Sequence, residues 1–180
     1  METCMFRFAQ EKDTALILYF IKELAKYEKM LDDVVATEEI LKEWIFEKGK
    51  AEVIFALEDG KEVGFALFFH NFSTFLGRSG LYLEDLFVKP EFRGKGYGKA
   101  LLKKLAQIAV ERGCGRFEWS CLDGNKPSIE VYLSLGAKPI ELGVPAEEAI
   151  APGGYALKLP DATLEKERKA IAEAKKLGIP

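Results

Sequence analysis

The chain has 180 residues, of which 48% are hydrophobic and 31% charged, and its formal net charge is −3 with a pI of about 5.5. A chain of this size can bury a core of its own, and its acidic balance disfavours nucleic-acid binding. It carries no apolar run of the roughly 18 residues that a membrane helix needs, and no C-x-x-C pair or metal-ligand cluster. Residues 1–10 lack the basic start and long apolar stretch of a signal peptide, so we expect none. We therefore expect a cytoplasmic protein without membrane, nucleic-acid or metal partners.

The first half of the sequence predicts a strand, two helices and a hairpin. Ile17, Phe20, Ile21 and Leu24 recur at intervals of three and four, which places them on one face of a helix that Asp13 can cap. In chain order the elements are a strand over 5–9, the helix after Asp13, a second helix from Thr37 to Gly49, strands over 51–57 and 62–69 joined by an Asp-Gly turn, and a loop over 70–77.

The second half centres on a strand, a glycine-rich turn and a helix. An apolar run over 81–88 predicts a strand that ends before Pro90, and helical spacing of apolar residues takes over after Gly98. We expect one mixed α/β domain over 1–160 and a charged helical extension over 161–180. The remaining elements are a strand over 116–121, a short helix from Pro127 to Gly136, strands over 138–142 and 154–159, and a late helix over 162–177.

The turn from Arg93 to Gly98 has the composition of a phosphate-binding loop. Its glycines leave no Cβ to block a ligand, and the first turn of the following helix supplies amides at the positive end of the helix dipole. From Lys89 to Arg116, eight basic residues stand against two acidic ones. The turn is therefore expected to hold phosphate. The alternative is a glycine loop followed by an ordinary solvated lysine face.

Two common phosphate loops do not fit this spacing. A dinucleotide fingerprint would need glycine at Lys99, and a P-loop needs one more residue than the turn provides. The order Arg93-Gly94-Lys95-Gly96-Tyr97-Gly98 instead resembles the Arg/Gln-x-x-Gly-x-Gly/Ala coenzyme A loop of the GCN5-related N-acetyltransferases. Segments 21–28, 81–85 and 125–132 also resemble, in order and spacing, the diamine (spermidine/spermine) acetyltransferase branch of that superfamily.

This resemblance implies a fold, a cosubstrate and an assembly. The fold would be a central mixed, mostly antiparallel twisted sheet of about six to seven strands with flanking helices, splayed at a bulge in its fourth strand. The cosubstrate would be acetyl-CoA, and the enzyme would be a homodimer. The residues implied to contact coenzyme A are Leu86, Phe87, Val88, Arg93, Gly94, Lys95, Gly96, Tyr97, Gly98, Lys99, Asn125, Lys126, Pro127 and Ser128.

Acetyl transfer to an amine requires that the amine lose a proton. An alkyl ammonium of pKa about 10.4 leaves only about one molecule in 2,500 neutral at neutral pH. The site must therefore attract a cation, desolvate it and take its proton, which calls for carboxylates in a partly apolar pocket. Glu84 is the preferred base. Strand alternation places Asp85 on the opposite face unless a bulge intervenes, and the alternative is that both acids pair with lysines beyond the strand end.

Three further residues receive roles from the resemblance. Tyr132 would protonate the departing coenzyme A thiolate, and Tyr27 and Glu28 would bind the acceptor together with Glu84 and Asp85. The residues alone leave other interpretations open. Tyr132 also fits a core position on its helix, and tyrosine and glutamate are common at exposed helix ends.

We therefore expect an acetyl-CoA-dependent N-acetyltransferase that acts by direct transfer in a ternary complex on a primary amine of a small cation, such as a polyamine, a diamine or thialysine. The alternatives are a protein N-terminus or an aminoglycoside-like amine as acceptor, or a noncatalytic acyl-CoA sensor. His70, the only histidine, directly follows Phe68 and Phe69 at a predicted strand end, which disfavours a hydrolase triad.

Overall fold

A computed structural model describes residues 5–122, 124–139 and 154–157. These residues form seven strands and four α-helices, as the mixed α/β prediction required. The strands are β1 (Met5–Phe8), β2 (Glu52–Glu58), β3 (Lys61–Ser73), β4 (Arg78–Val88), β5 (Phe117–Ser120), β6 (Lys138–Pro139) and β7 (Gly154–Leu157). The helices are α1 (Thr14–Glu28), α2 (Glu38–Leu41), α3 (Tyr97–Glu111) and α4 (Lys126–Ser134), with a π-helical segment over Lys42–Glu47 and 3-10 turns over Glu11–Asp13, Leu31–Asp33 and Pro90–Phe92.

The chain divides into two compact units. The first contains the described residues up to Phe69 together with Leu83–Leu102, and the second contains His70–Tyr82 and the described residues from Lys103 onward. The predicted single domain over 1–160 stays a prediction. The predicted extension over 161–180 lies outside the described residues, as do the ends of the strands predicted over 138–142 and 154–159.

In the first unit the strand order is β1-β2-β3-β4. β1 and β2 pair antiparallel, and so do β2 and β3, with a register shift between Ala56 and Leu57. The amide of Lys89 donates to the carbonyl of Val63, which ties the end of β4 to β3. The sheet of this unit is thus built mainly from neighbouring antiparallel strands.

The core of the first unit lies between α1 and the sheet. The phenyl ring of Phe20 on α1 stacks on that of Phe65 at a centroid distance of 5.1 Å and lies 5.8 Å from that of Phe55. All three rings are fully buried, so the apolar face predicted for this helix is confirmed. The buried residues of this cluster are Ile17, Phe20, Ile45, Val53, Phe55, Phe65 and Phe87.

Asp13 lies at the start of α1, but its carboxylate does not cap the helix. It binds the guanidinium of Arg7 at 2.7 and 2.9 Å and accepts from the amide of Gln10, and Arg7 also binds Glu62 at 2.6 Å. A charged donor outcompetes a neutral helix amide for a carboxylate. The predicted cap is therefore wrong, and Arg7 instead links β1 to Asp13 at the start of α1 and to Glu62 of β3.

The predicted helix from Thr37 to Gly49 begins as expected, because the Thr37 hydroxyl accepts from the amide of Ile40. It continues as α2 and then as the π-helical segment, which the sequence did not predict. The predicted loop over 70–77 is shorter in the structure, because β3 extends to Ser73. The strand end tolerates the polar residue Asn71 because its side-chain amide donates to the carboxylate of Glu118 on β5 at 3.0 Å.

In the second unit the strand order is β4-β5-β7-β6. The amide of Gly115 donates to the carbonyl of Ser79, and the amide of Leu81 donates to the carbonyl of Arg116. The start of β4 and the residues leading into β5 therefore run in the same direction, as in a parallel pair. β7 pairs antiparallel with both β5 and β6. The mixed, mostly antiparallel sheet is confirmed, and the bulge in β4 stays a prediction.

Gly80 on β4 is predicted to be required for packing. An added Cβ would overlap Asn71 Oδ1 and would lie 2.7 Å from Cγ of Arg116. We expect Gly80→Ala to lower the free energy of unfolding by about 1 to 3 kcal/mol. Gly124→Ala is the matched control, since a Cβ there meets no atom within 4 Å. Equal urea midpoints for the two variants would contradict this packing account.

Candidate active site

The glycine-rich turn follows β4 through the Pro90–Phe92 turn and leads into α3. Gly94 and Gly96 have φ angles of +76° and +92°, a backbone region that favours glycine, and a Cβ built on either residue would meet no atom within 4 Å. The first bond into α3 runs from Ala100 N to Gly96 O at 2.9 Å. The amides of Gly98 and Lys99 therefore lie in the first helical turn, where an anion is favoured, and the space over the loop is open.

Arg93 ties this loop to the end of β4 and to α1. Its Nε donates to the carbonyl oxygen of Val88 at 3.0 Å, and its guanidinium carbon lies 4.6 Å from the ring centroid of Tyr27 and 5.2 Å from that of Phe87. A guanidinium over an aromatic face is attracted by the ring quadrupole. The predicted loop residue Arg93 and the predicted acceptor residue Tyr27 are therefore in contact.

Two other loop side chains turn to Glu58, a residue that sequence reasoning missed. The hydroxyl of Tyr97 donates to Glu58 Oε1 at 2.7 Å, and Nζ of Lys95 lies 3.0 Å from the same oxygen. In this structure the ammonium of Lys95 is therefore ion-paired with protein. The predicted contacts of Lys95 and Tyr97 with coenzyme A can still be made by their backbone.

The two acids of β4 lie in different environments. Glu84 is exposed, whereas Asp85 is half-buried. Desolvation, together with the negative charges of Glu84 and Glu28, raises the pKa of Asp85 to about 6. Desolvation also raises the pKa of Glu28. Three carboxylates thus share one neighbourhood, where a cation would be attracted and where it would lower the pKa of Asp85 again.

The structure brings the predicted acceptor residues together within the first unit. Tyr27 and Glu28 end α1, Glu84 and Asp85 lie on β4, and the charges of Glu28 and Glu84 act on Asp85. Further along β4, Leu86 is half-buried while Phe87 and Val88 are buried, so their side chains serve packing. Any contact that Phe87 or Val88 makes with coenzyme A would therefore have to come from the backbone.

In the second unit, Asn125 caps α4. Its side-chain oxygen accepts from the amide of Ser128 at 3.4 Å, and Lys126 and Pro127 form the first helical positions. Further along α4, the half-buried ring of Tyr132 packs against that of Trp119 at a centroid distance of 5.1 Å. Sequence reasoning did not single out Trp119, which contacts this tyrosine.

The match to known families decides the class of this protein. A model described as the acetyltransferase (GNAT) family matches residues 18–137, which include the loop, the carboxylates and α4. The chain belongs to the GNAT acetyltransferase family.

Two curated relatives extend this finding. A thialysine N-epsilon-acetyltransferase of Sus scrofa is 38% identical over 149 residues, which are 78% of this chain and 87% of that protein. A spermidine/spermine N(1)-acetyltransferase-like protein 1 of Homo sapiens is 32% identical over 145 residues, which are 76% of this chain but 21% of the relative. The superfamily prediction and the prediction of an acyltransferase are confirmed.

A solved structure supports the fold of this GNAT protein. A putative acetyltransferase from Salmonella typhimurium, determined with its cofactor acetyl-CoA, aligns with a TM-score of 0.68 at 22% identity. The alignment covers 88% of this chain and 95% of that chain. At this level of identity the match establishes the GNAT fold.

Other catalytic classes receive no support from the described part of this GNAT chain. His70 Nε2 lies 3.5 Å from a guanidinium nitrogen of Arg112, so the ring faces a permanent cation. Within residues 5–122, 124–139 and 154–157, no three His, Cys, Asp or Glu side chains are arranged to hold a metal ion. The same residues contain no helix long and apolar enough to span a bilayer.

Proposed function

We propose that this GNAT enzyme transfers acetyl from acetyl-CoA to a primary amine of a small cation, with a polyamine, a diamine or thialysine as the acceptor class. The observation that carries the proposal is the grouping of Glu28, Glu84 and Asp85 beside Tyr27, which itself contacts Arg93 of the glycine loop. Negative charge and an aromatic face are the two features that attract an alkyl ammonium. The relatives named for thialysine and for spermidine/spermine support the same class.

The coenzyme fits the residues of the loop. The open space above Gly94 and Gly96 and the first-turn amides of α3 suit a pyrophosphate group. Acetyl-CoA would supply an activated thioester. The backbone of Leu86, Phe87 and Val88 would orient its carbonyl. By resemblance, Asn125, Lys126, Pro127 and Ser128 would add contacts to coenzyme A.

The enzyme must convert an ammonium into a nucleophile. Glu28 and Asp85 would hold the cation, and Glu84, which is exposed and adjacent, would accept a proton directly or through water. A neutral amine would then attack in a ternary complex. Tyr132 would return a proton to the thiolate that departs, a role that a tyrosine hydroxyl can fill because its reference pKa is about 10.

Two variants separate these roles. We expect Tyr132→Phe to keep the parent Kd for coenzyme A but to lower kcat about tenfold to a hundredfold, because only the proton donor is lost. We expect Glu84→Gln to lower kcat by a similar factor, and this loss should shrink as pH rises and the free amine becomes abundant. Steady-state kinetics and calorimetry measure both effects. Parent rates in both variants would show that the roles are misassigned.

A panel of amines tests the acceptor class. Thiol release from acetyl-CoA would be followed with spermidine, putrescine, thialysine, an aminoglycoside and a peptide with a free N-terminus. We expect kcat/KM to be highest for the small flexible cations. Preference for the peptide or the aminoglycoside would replace the proposed acceptor class, and coenzyme A binding without turnover would leave the sensor alternative.

The assembly and location of the enzyme are also proposals. We propose a homodimer on the strength of the resemblance to the diamine acetyltransferase branch, and a cytoplasmic location because the three cysteines form no disulfide pattern. Sedimentation equilibrium of the full chain tests the dimer. A single species of 20.2 kDa at micromolar concentration would contradict it.

A further inference from the structure

Glu58 is a charged residue beside the glycine loop that the proposed reaction does not use. It is the last residue of β2, and its side chain is only 19% exposed. Both of its charged or polar partners come from the loop. The hydroxyl of Tyr97 donates at 2.7 Å, and Nζ of Lys95 lies 3.0 and 3.3 Å from the two carboxylate oxygens.

These contacts fix the loop on both sides of Gly96. Lys95 precedes that glycine and Tyr97 follows it as the first residue of α3, with a ring that is buried and edge-on to Phe92 at 6.5 Å. The Lys95 ammonium also lies 4.9 Å from the Phe92 ring centroid. The carboxylate of Glu58 therefore contacts both sequence neighbours of Gly96, the residue with a φ of +92°.

An anchored loop binds its ligand more tightly than a loose one. Glycine has the largest backbone freedom to lose, so a glycine-rich loop that must order on binding loses affinity. The hydrogen bond from Tyr97, and then the ion pair with Lys95, lower the pKa of Glu58. The carboxylate is therefore ionised at neutral pH, and both contacts are made before any coenzyme is bound.

We propose that Glu58 is a positioning residue that preorganises the pyrophosphate loop for coenzyme A. This inference rests on the proposed function, because it assumes that residues 93–98 hold the coenzyme. Glu58 contacts the loop from the β2 side and acts through Tyr97 and Lys95. Its removal should weaken coenzyme binding without changing the chemical step.

Calorimetric titration of the full chain with coenzyme A tests the proposal. We expect Glu58→Ala to raise Kd about tenfold, equivalent to about 1.4 kcal/mol. Glu58→Gln keeps an acceptor for the Tyr97 hydroxyl but loses the charge that pairs with Lys95, so its Kd should lie between those of the parent and Glu58→Ala. Glu91→Gln is the control, because it removes an exposed negative charge next to the same loop without breaking a contact to Tyr97 or Lys95.

Kinetics distinguish positioning from a general loss of structure. In Glu58→Ala the KM for acetyl-CoA should rise, while kcat at saturating acetyl-CoA and the KM for the amine stay at parent values. Tyr97→Phe removes only the hydroxyl and keeps the carboxylate, so it tests the same contact if Glu58→Ala fails to fold. Combining Tyr97→Phe with Glu58→Ala should add nothing to the effect of Glu58→Ala, since both remove one contact.

The outcomes separate this inference from the proposed function. A parent protein that does not bind coenzyme A would overturn both. A parent that binds, with unchanged Kd in Glu58→Ala and Tyr97→Phe, would overturn only the role of Glu58. Tighter binding in Glu58→Ala would show that Glu58 competes with phosphate for Lys95, which is the opposite of positioning.

Discussion

Asp85→Asn should make the protein more stable at neutral pH while lowering kcat/KM for the amine about a hundredfold. In the folded state the pKa of Asp85 rises from the ordinary value of 3.8 to about 6, because the group is desolvated and faces Glu84 and Glu28. A shift of this size corresponds to about 2 to 3 kcal/mol of destabilisation once the carboxyl is ionised in both states. Asparagine removes that ionisation and also removes a charge that would hold the cation.

The size of this stability effect depends on pH within a defined window. Above about pH 6 the parent carries the full cost of an ionised Asp85, and between about pH 6 and pH 4 the folded state keeps a proton that the unfolded state has released. Below about pH 4 the group is protonated in both states. The advantage of Asp85→Asn should therefore be largest at neutral pH and vanish in acid.

Urea unfolding measures the predicted change in stability of Asp85→Asn, and pH-dependent kinetics measure the predicted change in kcat/KM for the amine. Parent kcat/KM for the amine should fall as pH drops through about 6, and this inflection should be absent in Asp85→Asn. Glu84→Gln should move the inflection to lower pH, since a neighbouring negative charge is gone. Asp32→Asn, at an exposed position, is the control and should change stability by less than about 0.5 kcal/mol. A less stable Asp85→Asn at neutral pH would contradict the assignment.

Gly96→Val should abolish useful coenzyme binding. The φ of Gly96 is +92°, where a β-branched side chain is strained by about 1 to 3 kcal/mol, and the new side chain would also enter the open space above the loop. We expect the Kd for coenzyme A to rise at least about a hundredfold, equivalent to about 2.7 kcal/mol.

Gly77→Val is the matched control for this loop variant. Gly77 also has a positive φ, +64°, but lies in the turn between β3 and β4. Both variants should lose stability in urea, whereas only Gly96→Val should lose affinity for coenzyme A in calorimetry. If Gly96→Val folds and binds coenzyme A with the parent Kd, the loop does not form the coenzyme site.

Local patterns predicted those parts of the molecule whose cause lies nearby in sequence. The spacing of Ile17, Phe20 and Leu24 predicted α1, because one apolar face is enough to bury a helix on a sheet. The glycines predicted where the loop lies, because few residues other than glycine adopt the positive φ angles found at Gly94 and Gly96.

Long-range pairing explains what sequence reasoning missed. Asp13 was predicted to cap a helix because the sequence does not show that Arg7 lies beside it. Asn71 was predicted to lie in a loop because the sequence does not show its partner Glu118 on the neighbouring strand. In the sequence Glu58 looks like an ordinary solvated residue at a strand end, because its partners Lys95 and Tyr97 lie 37 and 39 positions later in the chain. The raised pKa of Asp85 likewise depends on burial and on Glu28, which no local pattern contains.

Every proposed role depends on the loop at residues 93–98 holding the coenzyme, so titration of the purified full chain with acetyl-CoA is the decisive experiment. We expect a saturable heat with one site per chain and a rise in Tm with ligand concentration. Neither a saturable heat nor a shift in Tm at millimolar acetyl-CoA would contradict it.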